Sequence, residues 1–164
     1  MPRRSSQLAI DAGARLEGDG PGAEYKKVWF ALARRYWASV VLVPASPRGS
    51  VAELARGLAE VGKRLREEPV TAIVAEALDY DGAAKLAQAV GATGAVSKAR
   101  PVATPLQLIV AVQPVVVEPL GVAVAHAADA AIVCIEMGWT RLEDVRRTVE
   151  VIGRERVAGT IVLR

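Results

Sequence analysis

The sequence predicts a three-layer α/β domain with a mostly parallel sheet and helices on both faces, and three observations carry that expectation. Short apolar runs at residues 39–43, 70–75, 106–112, 130–136 and 159–163 alternate with segments of helical period. The runs are apolar along their whole length, as strands are when both faces of a sheet are covered. Finally, 164 residues with 52% apolar and 24% charged side chains can bury the core of one such domain.

The elements follow in order. Residues 1–23 are rich in Gly, Pro, Ser and Arg, with Leu8, Ile10 and Leu16 as the large apolar side chains, and read as a flexible arm. Residues 24–164 read as the single domain. Over 24–37, Tyr25, Val28, Trp29, Leu32 and Tyr36 fall on one helical stripe facing the sheet. Ser50 is placed to cap the next helix, whose stripe of Leu54, Leu58, Val61 and Leu65 runs up to Pro69. Further helices are expected at 81–90, 119–128 and 140–152, the last capped by Thr140 with Glu143 three residues on. Residues 91–104 leave a short strand and an edge excursion open.

Composition excludes several chemistries. No apolar run reaches the ~20 residues of a bilayer crossing, and residues 1–22 lack the apolar core of a signal peptide, which predicts a cytoplasmic protein. One cysteine, Cys134, excludes an intramolecular disulfide, and one histidine, His126, leaves no Cys/His zinc set. The chain carries 21 basic and 18 acidic side chains, with 12 basic and 6 acidic in residues 1–66 and 9 and 12 in residues 67–164. A reader of DNA or RNA would show a denser basic face interleaved with aromatics, so no specific nucleic-acid partner is expected.

In an open α/β sheet the functional crevice lies beyond the carboxyl ends of the strands. The first junction of this kind reads Val40-Val41-Leu42-Val43-Pro44-Ala45-Ser46-Pro47-Arg48-Gly49-Ser50, followed by Leu54-Ala55-x-x-Leu58-Ala59-x-x-Gly62. This strand, Pro/Gly loop and helix resemble the MinD/ParA-like P-loop ATPases, closest to the bacterial tyrosine kinases that regulate capsule and exopolysaccharide synthesis. Glu24-Tyr25-Lys26-Lys27 resembles the Glu-x-x-Arg start of that family's oligomerisation helix. Glu118-Pro119-Leu120 through His126 to Val133, then Gly138-Trp139-Thr140-Arg141-Leu142-Glu143-Asp144-Val145, resemble its later helix, strand and G-x-T-x-x-x-D-V helix. The likeness runs from Glu24 to residue 164.

The departures from that family matter more than the likeness. A phosphate cradle needs converging glycine N–H groups, a lysine for the β/γ-phosphates and a hydroxyl for magnesium. Here the loop is shorter and has no lysine, while Pro44 and Pro47 remove two donors. Arg48, Gly49 and Ser50 are the remnant. The family's Asp-Ala-Asp run aligns with Ala75-Glu76-Ala77, and its third-site aspartate aligns with Val112-Gln113-Pro114, leaving Glu76 as the remaining carboxylate. In the kinase members a tyrosine-rich tail follows, whereas no tyrosine follows Tyr80 in this sequence.

The resemblance therefore implies a catalytically inactive, pseudokinase-like regulatory or scaffold module of envelope-polysaccharide synthesis, export or a similar membrane-associated system. No catalytic residue, cofactor or metal is assigned, and peripheral association with the inner face of the membrane is allowed. The alternatives are an ATP-binding enzyme with an atypical or subunit-completed site built on Arg48, Ser50 and Glu76, and a ParA-like positioning factor. His126 and Asp129 have the i, i+3 spacing of a contact, but with no nearby nucleophile they are expected to be structural. Cys134, mid-strand, is expected to be a buried inert thiol. Glu76, Asp79, Asp81 and Glu118 are read as loop carboxylates and a helix cap rather than a cation site.

Five of the seven aromatic residues, Tyr25, Trp29, Phe30, Tyr36 and Trp37, cluster in residues 24–37. Phe30 and Trp37 lie off the core stripe, which predicts an interface of Glu24, Lys27, Phe30, Arg34, Arg35 and Trp37. The occupant is a second copy in a two-fold homodimer or a membrane-associated protein, with a membrane-surface helix as the competing idea.

Overall fold

The computed structural model of the chain describes residues 8–11, 22–65, 69–99 and 106–164. Six strands, β1 (Leu8–Asp11), β2 (Ser39–Pro44), β3 (Val70–Ala75), β4 (Gln107–Val112), β5 (Ala130–Glu136) and β6 (Val157–Leu163), form one sheet in the order β1-β6-β5-β2-β4-β3. Every pairing is parallel. The helices are α1 (Gly22–Leu32), α2 (Ala52–Leu65), α3 (Tyr80–Ala99), α4 (Gly121–Ala127) and α5 (Leu142–Ile152). The expected three-layer α/β architecture is therefore what the chain adopts. Burial explains the sequence pattern: the inner strands β2 and β4 are buried at every position, whereas the β3 strand is only partly covered.

One face of the sheet carries α1 and α2, with Val40, Leu42, Ile109, Ile132 and Ile161 meeting Trp29, Leu54 and Leu58. Two glycines set how closely α2 accepts α1. A Cβ on Gly57 would meet the Tyr25 ring at 2.7 Å, and a Cβ on Gly62 would meet Trp29 at 2.5 Å and Val70 at 2.9 Å. The Leu-Ala-x-x-Leu-Ala-x-x-Gly pattern thus ends on a glycine that makes room for a buried tryptophan.

The aromatic segment departs from expectation. Its helix stops at Leu32, and the Trp37 indole N–H donates to the Leu32 carbonyl at 3.2 Å, closing the turn that leads into β2. Trp37 is buried and packs edge to face on Trp29, with centroids 5.7 Å apart. Tyr36, expected on the core stripe, is exposed. Once the helix ends, its period no longer decides which side chain faces the core.

The other face carries α3, α4 and α5, where Val90, Val124, Ala125 and Ile152 cover Val41, Val43, Val110 and Val133. Residues 91–99, left open between strand and edge excursion, continue α3, while residues 100–105 lie outside the described residues. Thr140 does not cap α5. Its Oγ1 accepts the Glu136 N–H at 2.8 Å and closes the β5–α5 turn instead. Within the expected N-terminal arm, Leu8–Asp11 is a strand in register with Gly159–Val162 of β6, and Gly22 begins α1; the rest of residues 1–21 lies outside the described residues. Four residues among glycines and prolines give no periodic signal, so only pairing to β6 reveals the strand. Among the described residues no helix is long and apolar enough to cross a membrane.

Candidate functional site

The chain leaves β2 toward β3 on one side, and after β4 it crosses back over β2 to reach β5. That reversal places a topological switch at the carboxyl end of β2, where open α/β sheets bind ligands. Because β2, β4 and β3 are consecutive neighbours, with Leu42 and Val74 both opposite Ala111, the junctions after them meet. They enclose a cavity of about 270 Å³ lined by Gly49 and Ser50 from the first, Glu76 from the second and Gln113 from the third. Three sequence-predicted residues, Gly49, Ser50 and Glu76, are thus brought together. Arg48 is exposed and does not line the cavity.

No known protein family matches the chain, and no curated protein matches it.

The chemistry of the cavity follows from its loop. Pro44 and Pro47 carry no N–H, the Ala45 N–H donates to the Cys134 carbonyl at 2.9 Å, and the Gly49 N–H donates to the Ser46 carbonyl at 2.9 Å. Half of the backbone donors from Pro44 to Val51 are absent or spent within the fold. Gly49 is packed against the loop itself: a Cβ there would approach Pro44 Cβ at 3.0 Å and the Ser46 carbonyl at 3.2 Å. Ser50 Oγ lies 3.5 Å from the Ala52 N–H at the start of α2, at the limit of a capping bond. Among the described residues Glu76 is the one ionisable side chain of the cavity wall. The described lining residues include no lysine for the phosphates of a nucleotide triphosphate, and Glu76 is the carboxylate available to a magnesium ion. Among the described residues no three of His, Cys, Asp and Glu group closely enough to hold a metal ion.

The remaining candidates have structural partners. His126 Nε2 lies 2.7 Å from the Ile152 carbonyl at the end of α5. Asp129 Oδ2 accepts the Ala38 and Ser39 N–H groups at 2.7 and 3.1 Å, and its own N–H donates to Ser39 Oγ. The two side chains therefore tie helix and strand ends together. Cys134 is buried, and burial pushes its thiol up to about 12. Asp79 Oδ1 accepts the Gly82 N–H at 2.6 Å at the start of α3, Asp81 pairs with Lys85 at 2.7 Å, and Glu118 Oε1 accepts the Leu120 N–H at 3.2 Å.

At the expected interface Lys27, Phe30, Arg34 and Arg35 are exposed and Glu24 is partly buried, whereas Trp37 belongs to the core. The interface assignment of Trp37 is corrected on that ground. Sequence reasoning also passed over Trp139, which is 77% exposed beside the exposed Met137 and Leu142 where β5 turns into α5. Its sequence signal is a lone aromatic directly after a glycine, Gly138, between an apolar run and the next helix; the structure places that glycine at positive φ.

Proposed function

We propose that the chain is a catalytically inactive relative of the polysaccharide-regulating P-loop kinases, acting as a regulatory or scaffold module in an envelope-polysaccharide or similar membrane-associated system. The family assignment rests on the motif resemblance. The inactivity rests on one observation: Glu76 alone among the described lining residues of the carboxyl-edge cavity is ionisable, where a triphosphate would need a lysine. Partner contact is assigned to the exposed part of the α1 segment, Phe30 with Lys27, Arg34 and Arg35, and to Glu24, whose Oε1 is buried without a hydrogen-bond partner among the described residues. A homodimer through this surface is the favoured assembly, with a membrane-associated protein as the other occupant.

Isothermal titration of the purified chain with ATP and magnesium tests the reading. No saturable heat is expected at ligand concentrations of about 1 mM, and any hydrolysis in the preparation is expected to survive Ser50→Ala unchanged. Micromolar affinity, or turnover lost with Ser50→Ala, would establish the second reading, an ATP-binding enzyme. The 270 Å³ cavity favours that alternative, because a partner subunit has room there to supply a lysine beside Ser50.

A further inference from the structure

The opposite edge of the sheet holds a second cavity, which shares Arg35 with the proposed partner surface. Its volume is about 310 Å³, at the lower end of the roughly 300–1,000 Å³ of small-molecule sites. It is framed by the segments that lead into β2, β5 and β6: Arg35 and Trp37 before β2, Asp129 before β5, and Arg154 and Arg156 before β6. The floor lies on the face of the sheet that carries α1 and α2. Ile132 and Ile161, both buried, line it together with Gly159, which pairs with Ile132 in register and carries no side chain. Leu32 and Trp37 make the apolar wall.

The rim is cationic. Arg35, Arg154 and Arg156 are exposed and form no ion pair among the described residues. Asp129 and Glu155 also line the cavity, and neither pairs with the three arginines. Asp129 Oδ2 accepts two backbone N–H groups, and the Glu155 carboxylate folds back over the Gly153 turn, where a Cβ would meet its Oε1 at 2.5 Å. Guanidinium groups above an apolar floor suit a phosphate or similar oxyanion attached to an apolar body, because the fork geometry of arginine matches such a head group while the body displaces water from the sheet.

We propose that this amino-edge cavity binds a small organic phosphate, its anionic head on Arg35, Arg154 and Arg156 and its apolar body on β5 and β6 against Trp37. The site is independent of the carboxyl-edge reading and stands whether or not that reading holds.

The test is a fluorescence titration of the full chain with anilinonaphthalene sulfonate, an aromatic anion, with circular dichroism and urea midpoints confirming that each variant is folded. Saturable binding of one dye per chain is expected. It weakens about tenfold or more in Arg154→Ala with Arg156→Ala, and clearly in Arg35→Ala. Arg146→Ala, which removes the same charge from α5 outside the cavity, leaves it unchanged. Competition identifies the source of the phosphate. Displacement chiefly by adenosine monophosphate marks a nucleotide-like ligand, and displacement chiefly by monomeric dodecyl phosphate marks a lipid head group; both support the site. Dye binding that ignores the arginine substitutions in folded protein, or displacement by inorganic phosphate alone as effective as by either organic phosphate, overturns the proposal. Failure of both organic phosphates to displace the dye overturns it as well.

Discussion

Replacing Gly62 by alanine tests the packing of α1 on α2 directly. The substitution has a favourable part, since alanine in a helix interior is better than glycine by about 0.8–1.0 kcal/mol. Against it, the added Cβ would sit 2.5 Å from the Trp29 ring and 2.9 Å from Val70 Cγ2. Trp29 and Val70 are both buried, and Trp29 is further held by its edge contact with Trp37, so neither can swing into solvent. Overpacking of that kind costs about 1–3 kcal/mol. The net expectation is a destabilisation of about 0–2 kcal/mol, or a loss of up to a few degrees in melting temperature for a domain of this size. Gly57→Ala is the internal control. Its Cβ would also enter a ring, at 2.7 Å, but Tyr25 is only partly buried and its far end can turn outward, so the helix gain survives and the change is neutral or stabilising. Urea denaturation with equal slopes for the three proteins gives the comparison. If Gly62→Ala is as stable as Gly57→Ala, Trp29 does not lock the two helices together and the reasoning fails.

Three further outcomes follow from the same structure. Phe30→Asp is expected to shift sedimentation toward monomer with the chain still folded, whereas Trp37→Asp, at a buried site, is expected to unfold the chain; a dimer that survives Phe30→Asp removes α1 as the interface. The raised Cys134 thiol keeps its proton in the folded state up to about pH 12 while the unfolded thiol loses it near 9, so this group's contribution falls as pH rises between those values, by at most about 1.4 kcal/mol per unit. Cys134→Ala is therefore expected to flatten the alkaline decline in stability, and an unchanged decline would mean the thiol is not buried. Asp129→Ala, which leaves the Ala38 and Ser39 N–H groups without their carboxylate, is expected to cost about 1.5–3 kcal/mol, with a readout by the same urea titration; a change below 0.5 kcal/mol would show that water replaces it, at about the level of an ordinary surface substitution.

How much was legible in the sequence depended on whether an element's signal was local. The inner strands β2 and β4 announce themselves because each must be apolar on both faces, and the α2 stripe because it faces the sheet through its whole length. The site residues Gly49, Ser50 and Glu76 were legible for a related reason: the carboxyl ends of neighbouring parallel strands have to meet, so residues just after them converge whatever lies between. What stayed hidden was set by partners distant in the chain. Leu8–Asp11 is a strand only because β6 offers an edge, Thr140 turns from α5 because the Glu136 N–H needs an acceptor, and Trp37 goes inward because the helix that carried its period has already ended.

The two cavities bear opposite charge, and that contrast supplies the strongest argument about what the sheet can bind. Helices that follow parallel strands begin at the carboxyl edge, and their positive ends ordinarily help to hold a phosphate there. In this chain the ends of α2, α3 and α5 are already answered by the protein's own carboxylates: Glu53 in the first turn of α2, Asp81 in that of α3, Glu143 and Asp144 in that of α5, with Glu76 in the cavity wall. Such placement stabilises each helix and opposes an incoming phosphate in the same stroke. At the amino edge the position is reversed, because Arg35, Arg154 and Arg156 stand in turns with no carboxylate paired to them among the described residues. An anion approaching the chain is therefore drawn to the edge that open α/β sheets seldom use. The attraction between such exposed charges is screened over about 8 Å at physiological salt, so dye affinity at the amino edge should fall as salt is raised, and an affinity indifferent to salt would mean that the apolar floor alone does the binding.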